Sequence, residues 1–135
     1  MIELFVQSRY HVNRKLVRKQ ANTFLKKMEL EPERYVVSIA VVGDRKVALL
    51  HKKYAGKQGT TPVLTFPYIQ SGYKENYHAA RDFSATKEDN STILLGEIVI
   101  SYPQTLIFAA DENKLVDDKL CEFVEHGLKT LLTAK

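Results

Sequence analysis

The segment Val36–Val42 reads Val-Val-Ser-Ile-Ala-Val-Val and constrains the fold more than any other part of the chain. A strand that is apolar at nearly every position must be covered on both faces, which is typical of a parallel sheet flanked by helices. Neighbouring segments supply those helices. Asn13–Glu29 carries apolar residues at helical spacing, and Arg45–Tyr54 follows a Gly43-Asp44 turn in which Asp44 is a suitable helix N-cap.

Further strands and helices are predicted along the rest of the chain. The strands are Ile2–Gln7, Val63–Tyr68 and Ile93–Ile100, and the helices are Gln104–Ala110 and Lys114–Leu132. This order predicts an α/β fold with a small, mixed and mostly parallel four-stranded sheet packed with helices. A length of 135 residues suits a single domain, residues 1–135.

The segment of about residues 69–92 is polar, has no period and is long for a loop in a compact domain. It mixes aromatic and basic residues that could stack on and clamp single-stranded RNA: Tyr73, Tyr77, Phe83, Lys74, Arg81 and Lys87. However, its acidic residues outnumber its basic ones. A solvated insertion is therefore favoured over an RNA clamp.

The positive charge is concentrated in the first part of the chain. Residues 1–57 hold 13 lysines and arginines against 5 acidic residues, whereas residues 58–135 hold 7 against 11. A basic half of this kind suits a phosphate-rich partner, because lysine and arginine displace condensed counterions from nucleic acids. The alternative is a lysine-rich helix surface that only faces water.

Several other classes of protein are disfavoured. A single cysteine, Cys121, excludes an intramolecular disulfide and fits a reducing compartment. The chain has no apolar run of the ~20 residues that span a bilayer, and its N-terminus does not resemble a signal peptide, so we expect a cytoplasmic protein. Cys121 lies close to the apolar stripe of its helix, which favours a small core residue over a nucleophile.

Four blocks in order carry a resemblance to a known family. They are Leu50-His-Lys-Lys-Tyr-Ala-Gly-Lys57, Thr61-Pro-Val-Leu-Thr-Phe-Pro-Tyr68, Leu94-Leu-Gly-Glu-Ile-Val-Ile100 and Val124-Glu-His-Gly-Leu128. Together they resemble the YbeY family of bacterial endoribonucleases in rRNA maturation. That family typically has a Y-R-G-K block, a T-D-V-L-S-F-P-F strand, an L-L-G-D-I-V-I strand and a final H-G-x-L-H-L-x-G-Y-D-H motif. The resemblance covers most of the chain and implies a YbeY-like fold.

The resemblance also implies a zinc ion held by three histidines spaced H-x3-H-x5-H. Here His126 matches the first ligand, Thr130 stands at the second, and the third position would fall one place beyond Lys135. His126 is thus expected to be a single remaining ligand of a site that holds no zinc. No cofactor is expected, although zinc is the metal of the family.

Other departures affect residues with chemical roles. Ala55 replaces the arginine of Y-R-G, which could grip a phosphate, and Pro62 replaces the acid after Thr61. Glu97 replaces the aspartate of L-L-G-D and keeps a carboxylate. Replacement ligands could in principle come from Glu122, which lies one helical turn before His126, but such a pair is more often a surface ion pair or hydrogen bond.

Three functions stay open on this evidence. The first is a divergent YbeY-like protein that binds RNA, a ribosomal subunit or a ribosome-associated protein without cutting. The residues expected to contact phosphates are Arg45, Lys46, Lys52, Lys53 and Lys57. The second is an active rRNA-processing endoribonuclease with rebuilt metal ligands or with His126 and Glu97 as acid–base groups. The third is a regulatory module that acts through protein contacts.

Overall fold

The computed structural model describes residues 1–68 and 92–133. Within them the strands are β1 (Ile2–Val6), β2 (Tyr35–Val42), β3 (Val63–Pro67) and β4 (Ile93–Ser101). The α-helices are α1 (Arg14–Lys27), α2 (Asp44–Ala55), α3 (Tyr102–Asp111) and α4 (Val116–Thr133), and a 3₁₀ turn covers Pro32–Arg34. The predicted segment at about residues 69–92, with its proposed RNA clamp, lies outside the described residues apart from Thr92.

The sheet has the strand order β1-β2-β4-β3. Strands β1, β2 and β4 are parallel, and β3 pairs antiparallel with β4. All residues of β2 except Tyr35 are buried, as the apolar run predicts for a strand covered on both faces. The predicted α/β class, with a mixed and mostly parallel sheet, is confirmed.

Two hydrophobic clusters form the core, one on each face of the sheet. Helices α1 and α4 cover one face, where they pack against Ile39, Ile98 and Ile100. Helix α2 covers the other face through Val47 and Leu50. Because side chains alternate along a strand, neighbouring residues of β2 and β4 contribute to different clusters.

One capping prediction was wrong. Gly43, and not Asp44, is the N-cap of α2, and Asp44 lies in the first turn. The Asp44 carboxylate does not cap its own helix; it accepts hydrogen bonds from Ser101 at 2.5 Å and from Thr60 at 3.0 Å. It therefore ties the start of α2 to the end of β4, because tertiary partners compete successfully with the local cap. The first helix is capped locally, since the Asn13 side chain accepts from the Leu16 N–H at 3.0 Å.

In the two described ranges, no helix combines the length and the apolar character that a bilayer crossing needs.

Candidate functional site

His126 and Thr130 lie one turn apart on α4, at the first two positions where the resemblance places zinc ligands. His126 is exposed. The Thr130 hydroxyl donates a hydrogen bond to the backbone carbonyl of His126 at 3.0 Å. This hydroxyl is thus directed at the helix backbone, and a neutral hydroxyl is outside the thiolate, imidazole and carboxylate set that binds zinc. The residues at these two positions do not fit the metal of the family.

Glu122 does not complete a site with His126. Its carboxylate is bound by two lysines, Lys114 and Lys119, the latter at 3.0 Å. Among the residues that the structure describes, no three His, Cys, Asp or Glu side chains are grouped so that they could hold a metal ion. The described structure therefore offers no rebuilt ligand set around His126.

Glu97 and His126 belong to opposite sides of the sheet. The neighbour of Glu97 on β4, Ile98, faces α4, because a Cβ atom added to Gly127 of that helix would lie 2.8 Å from the Ile98 Cδ1 atom. Adjacent side chains of a strand point to opposite faces, so Glu97 points toward the face that α2 covers. It is fully buried and accepts a hydrogen bond from the Tyr68 hydroxyl. The alternation of side chains along β4 therefore directs Glu97 away from the helix that carries His126, the other predicted acid–base candidate.

Cys121 is half-buried on α4 near the interface with α1. Burial, assisted by the nearby carboxylates of Asp118, Asp117 and Glu125, raises the pKa of its thiol to about 11. A thiol with this pKa stays protonated at neutral pH, and a protonated thiol is a poor nucleophile. This agrees with its predicted role as a small packing residue.

The five predicted phosphate-binding residues are exposed and fall into two groups at opposite ends of α2. Arg45 and Lys46 lie in its first turn, whereas Lys52 and Lys53 lie in its last turn. Lys57 follows the helix, and its backbone N–H donates to the His51 carbonyl at 3.3 Å. A rise of about 1.5 Å per residue separates the two groups by roughly 10 Å along the helix axis. The two groups therefore form separate positive patches near the two ends of the helix.

The end of α2 is where the resemblance places an arginine. Ala55 is the last helical residue and is exposed. Gly56 then ends the helix with a φ of +68°, in the left-handed conformation that glycine adopts easily. The His51 ring Nδ1 is 3.0 Å from the Gly59 carbonyl oxygen, so Nδ1–H donates to it. The turn is therefore well ordered, but Ala55 provides no group that could bind a phosphate.

Sequence reasoning missed a second group of residues, at the carboxyl ends of β1 and β2. Arg9 and Tyr10 follow β1 and lie beside Arg45 and Lys46 around one crevice. A signal was available, since the carboxyl ends of adjacent parallel strands meet at the same sheet edge. It was overlooked because Arg9 and Tyr10 belong to no recognised motif.

Comparisons with known proteins agree with the blocks described above. A family model described as Endoribonuclease YbeY matches residues 5–132. A protein of Dehalococcoides mccartyi named Endoribonuclease YbeY is 32% identical over 121 residues, which are 90% of this chain and 68% of that protein. A protein of the same name from Thermodesulfovibrio yellowstonii is 30% identical, over 75% of this chain and 54% of the relative. The chain thus spans only about half to two thirds of these two relatives.

A solved structure is similar in fold. It is the solution structure of a Thermotoga maritima protein, with a TM-score of 0.57 and 20% sequence identity, covering 95% of this chain and 69% of the other. At this identity the likeness concerns the fold alone. The family model, however, matches nearly the whole chain. This chain belongs to the YbeY family.

Proposed function

We propose that this chain binds RNA, alone or as part of a ribosomal subunit, and does not cleave it by zinc-dependent hydrolysis. The observation that carries the proposal is the hydrogen bond from Thr130 to the His126 carbonyl, at the position where the family has its second zinc ligand. Without that ligand, at most two of the three family positions could bind zinc, and zinc sites that activate water need three protein ligands. We therefore propose that the protein holds no zinc.

The binding part of the proposal rests on charge. The acidic residue on α2 is Asp44, whose oxygens accept hydrogen bonds from neighbouring elements, while the basic residues of the same helix are exposed. Contacts from exposed lysine and arginine to phosphates are independent of base sequence and sensitive to salt. Such contacts suit an rRNA partner in the cytoplasm. A ribosome-associated protein could bind at the same time on another surface.

Retained nuclease activity is less well supported. An acid–base mechanism needs two groups that reach the same phosphate. His126 lies on the helix that covers one face of the sheet, and Glu97 points to the other. A metal-dependent mechanism needs ligands that the described residues do not group together.

A protein-contact function has one observation in its favour. Leu106 and Ile107 on α3 are 46% and 53% exposed, and exposed apolar residues of this size are common in protein interfaces. Such a module would show little affinity for RNA at any salt concentration. The RNA titration described next therefore separates it from the main proposal.

The test has two measurements on the purified protein. Elemental analysis, with His126→Ala beside the wild type, should find no stoichiometric zinc in either. Fluorescence anisotropy with a labelled single-stranded RNA should give a dissociation constant that rises by roughly 20-fold between 50 and 200 mM salt if three phosphates are contacted. Stoichiometric zinc that His126→Ala removes, together with RNA cleavage that the same variant abolishes, would refute the non-cleaving proposal.

A matched pair of variants tests the surface. Replacing Lys52, Lys53 and Lys57 with glutamine should weaken RNA binding and flatten its salt dependence. Replacing Lys15, Lys19 and Lys26 removes the same charge from exposed positions on α1 and should change both much less. Equal losses in the two triple variants would mean that net charge, rather than the α2 surface, determines binding.

A further inference from the structure

The connections that follow β1 and β2 pass to opposite faces of the sheet. After β1 the chain continues into α1, on the face of the sheet shared with α4, whereas after β2 it continues into α2 on the opposite face. Because the two connections leave adjacent parallel strands in opposite directions, they open a crevice at the carboxyl edge of the sheet. In open α/β sheets this is the position where ligands bind.

A crevice of about 530 Å³ is present at this position. Gln7, Arg9 and Tyr10 line it on the β1 side, and Arg45, Lys46 and Leu49 line it on the α2 side. Its volume lies within the usual range for small-molecule sites and is larger than a phosphate ion alone would need. The size therefore suits a phosphate that carries an organic group.

Hydrogen bonds and ring contacts hold the two sides of the crevice together. The Gly43 N–H donates to the Gln7 side-chain oxygen at 3.2 Å, and the Tyr10 N–H donates to the Gln7 carbonyl at 2.9 Å. The Tyr10 ring stacks on Tyr102 with 4.5 Å between centroids. The rim is thus fixed before any ligand arrives, which reduces the entropy cost of binding.

The charge at the crevice favours an anion. Arg9, Arg45 and Lys46 are exposed, and none of them forms part of an ion pair within residues 1–68 and 92–133. The acidic residue of the crevice is Asp44. Its Oδ1 accepts from Ser101 and Thr60, and the Gln104 Nε2 donates to its Oδ2 at 3.5 Å. Asp44 is therefore engaged toward β4 and α3, and three cations remain for a ligand.

We propose that this crevice binds a nucleotide unit. Arg9, Arg45 and Lys46 bind its phosphate, since guanidinium and ammonium groups are the usual phosphate partners in proteins. Leu49, which is 63% exposed, and Pro103 provide an apolar wall for the sugar and base. The nucleotide could come from an RNA strand, in which case the inference rests on the proposed RNA binding, or from a free nucleoside monophosphate.

A free nucleotide tests the crevice independently of RNA. We would titrate the protein with 5′-AMP and follow backbone amide shifts by NMR. Binding should shift the amide signals of Gly43 and Arg45, and Arg45→Gln combined with Lys46→Gln should weaken it by at least about tenfold. Lys26→Gln combined with Lys27→Gln removes the same charge from exposed positions in the last turn of α1 and should leave 5′-AMP binding unchanged.

Gly43→Ala tests the crevice without changing its charge. The added Cβ would lie 2.9 Å from the Tyr10 hydroxyl oxygen and 3.6 Å from an Arg9 guanidinium nitrogen, inside the crevice. The φ of −84° at Gly43 suits alanine, so the backbone can stay as it is. The variant should fold normally, weaken 5′-AMP binding and retain the salt dependence of any RNA binding at the other end of α2.

The outcomes separate this inference from the proposed function. If RNA competes with 5′-AMP and the crevice variants weaken both, the nucleotide belongs to an RNA strand. If 5′-AMP binds and RNA does not, the crevice is a free-nucleotide site and the proposed RNA binding fails. If RNA binds but 5′-AMP shifts no crevice signal, and both crevice variants bind RNA like the wild type, the crevice inference is overturned while the proposed function stands.

Discussion

Gly96 on β4 should be the least replaceable glycine in the described structure. A Cβ atom at this position would lie 2.5 Å from the Phe66 carbonyl oxygen and 2.9 Å from the Pro67 Cα on β3, and 2.7 Å from Leu131 on α4. Two of these neighbours are backbone atoms of a paired strand, which cannot move without disturbing the sheet. The φ of +151° is also a conformation that residues with side chains rarely adopt.

The cost of Gly96→Ala can be worked out from these two effects. Backbone strain of this kind costs about 1–3 kcal/mol, and forcing a methyl group into a packed site costs about 1–3 kcal/mol more. We therefore expect the free energy of unfolding to fall by about 2–6 kcal/mol. Urea unfolding followed by circular dichroism measures this through the midpoint and slope of the transition.

Two other glycines serve as controls that separate strain from crowding. Gly56 has a φ of +68° but nothing within 4 Å of an added Cβ, so Gly56→Ala should cost only about 1–2 kcal/mol of strain. At Gly127 the three atoms nearest to an added Cβ all belong to the Ile98 side chain, and the helix propensity of alanine offsets part of the crowding. If Gly96→Ala cost no more than Gly56→Ala, the close approach of β3 and α4 would not be the reason for a glycine at position 96.

Three further predictions concern single side chains. Burial raises the pKa of Cys121 to about 11 from 9.0. Iodoacetamide should therefore alkylate it about a hundredfold more slowly at pH 8 than an ordinary thiol. Mass spectrometry would measure the rate, and a normal rate would mean that the thiol is accessible. Lys119, which donates to Glu112 at 2.9 Å, has a raised pKa because of that hydrogen bond, and the pKa of Glu112 is lowered for the same reason. Glu112 thus contributes to the free energy of unfolding above pH 4.5, its usual pKa, and this contribution is lost as the pH falls through the lowered pKa. Lys119 contributes below pH 10.5, its usual pKa, and this contribution is lost as the pH rises through the raised pKa. Lys119→Gln should lower the urea midpoint at pH 7 and weaken both dependences, and an unchanged pH profile would contradict this. Thr130→His places two histidines one turn apart on an exposed part of α4 and should create zinc binding that calorimetry detects. Adding His126→Ala should remove this binding. No binding in Thr130→His would mean that the helix alone cannot position the pair.

Local patterns in the sequence predicted the fold well because they reflect forces that act locally. The continuous apolar run of β2 requires cover on both faces, and the structure provides it with α1 and α4 on one face and α2 on the other. Every helix boundary was predicted to within two residues, and the differences of two residues are at the end of α1 and at the starts of α3 and α4. Glu29 has a φ of 64° and therefore lies outside the helix. Helix α3 begins before the predicted Gln104, because proline is accepted in the first turn of a helix and Pro103 lies there.

The site was harder to predict because it depends on which residues the sheet brings together. Spacing alone could not reveal that Glu97 points away from the helix that carries His126, because this depends on which face of the sheet α4 covers. It also could not reveal that Arg9 approaches Arg45 and Lys46, residues more than 30 positions away. Both results follow from the strand order, which fixes the neighbours at each sheet edge.

The residues that match the family and those that differ from it have different physical roles. Gly96 and Gly127 allow close packing of β3, β4 and α4, and a side chain at either would meet neighbouring atoms. Ala55 is exposed and Thr130 is bonded to its own helix, so neither position requires the family's residue for stability. The fold can therefore tolerate the loss of the phosphate-gripping arginine and of the second metal ligand with little energetic cost. Stability and zinc chemistry are thus separable in this chain, and removal of metal from the protein solution should leave its unfolding midpoint unchanged.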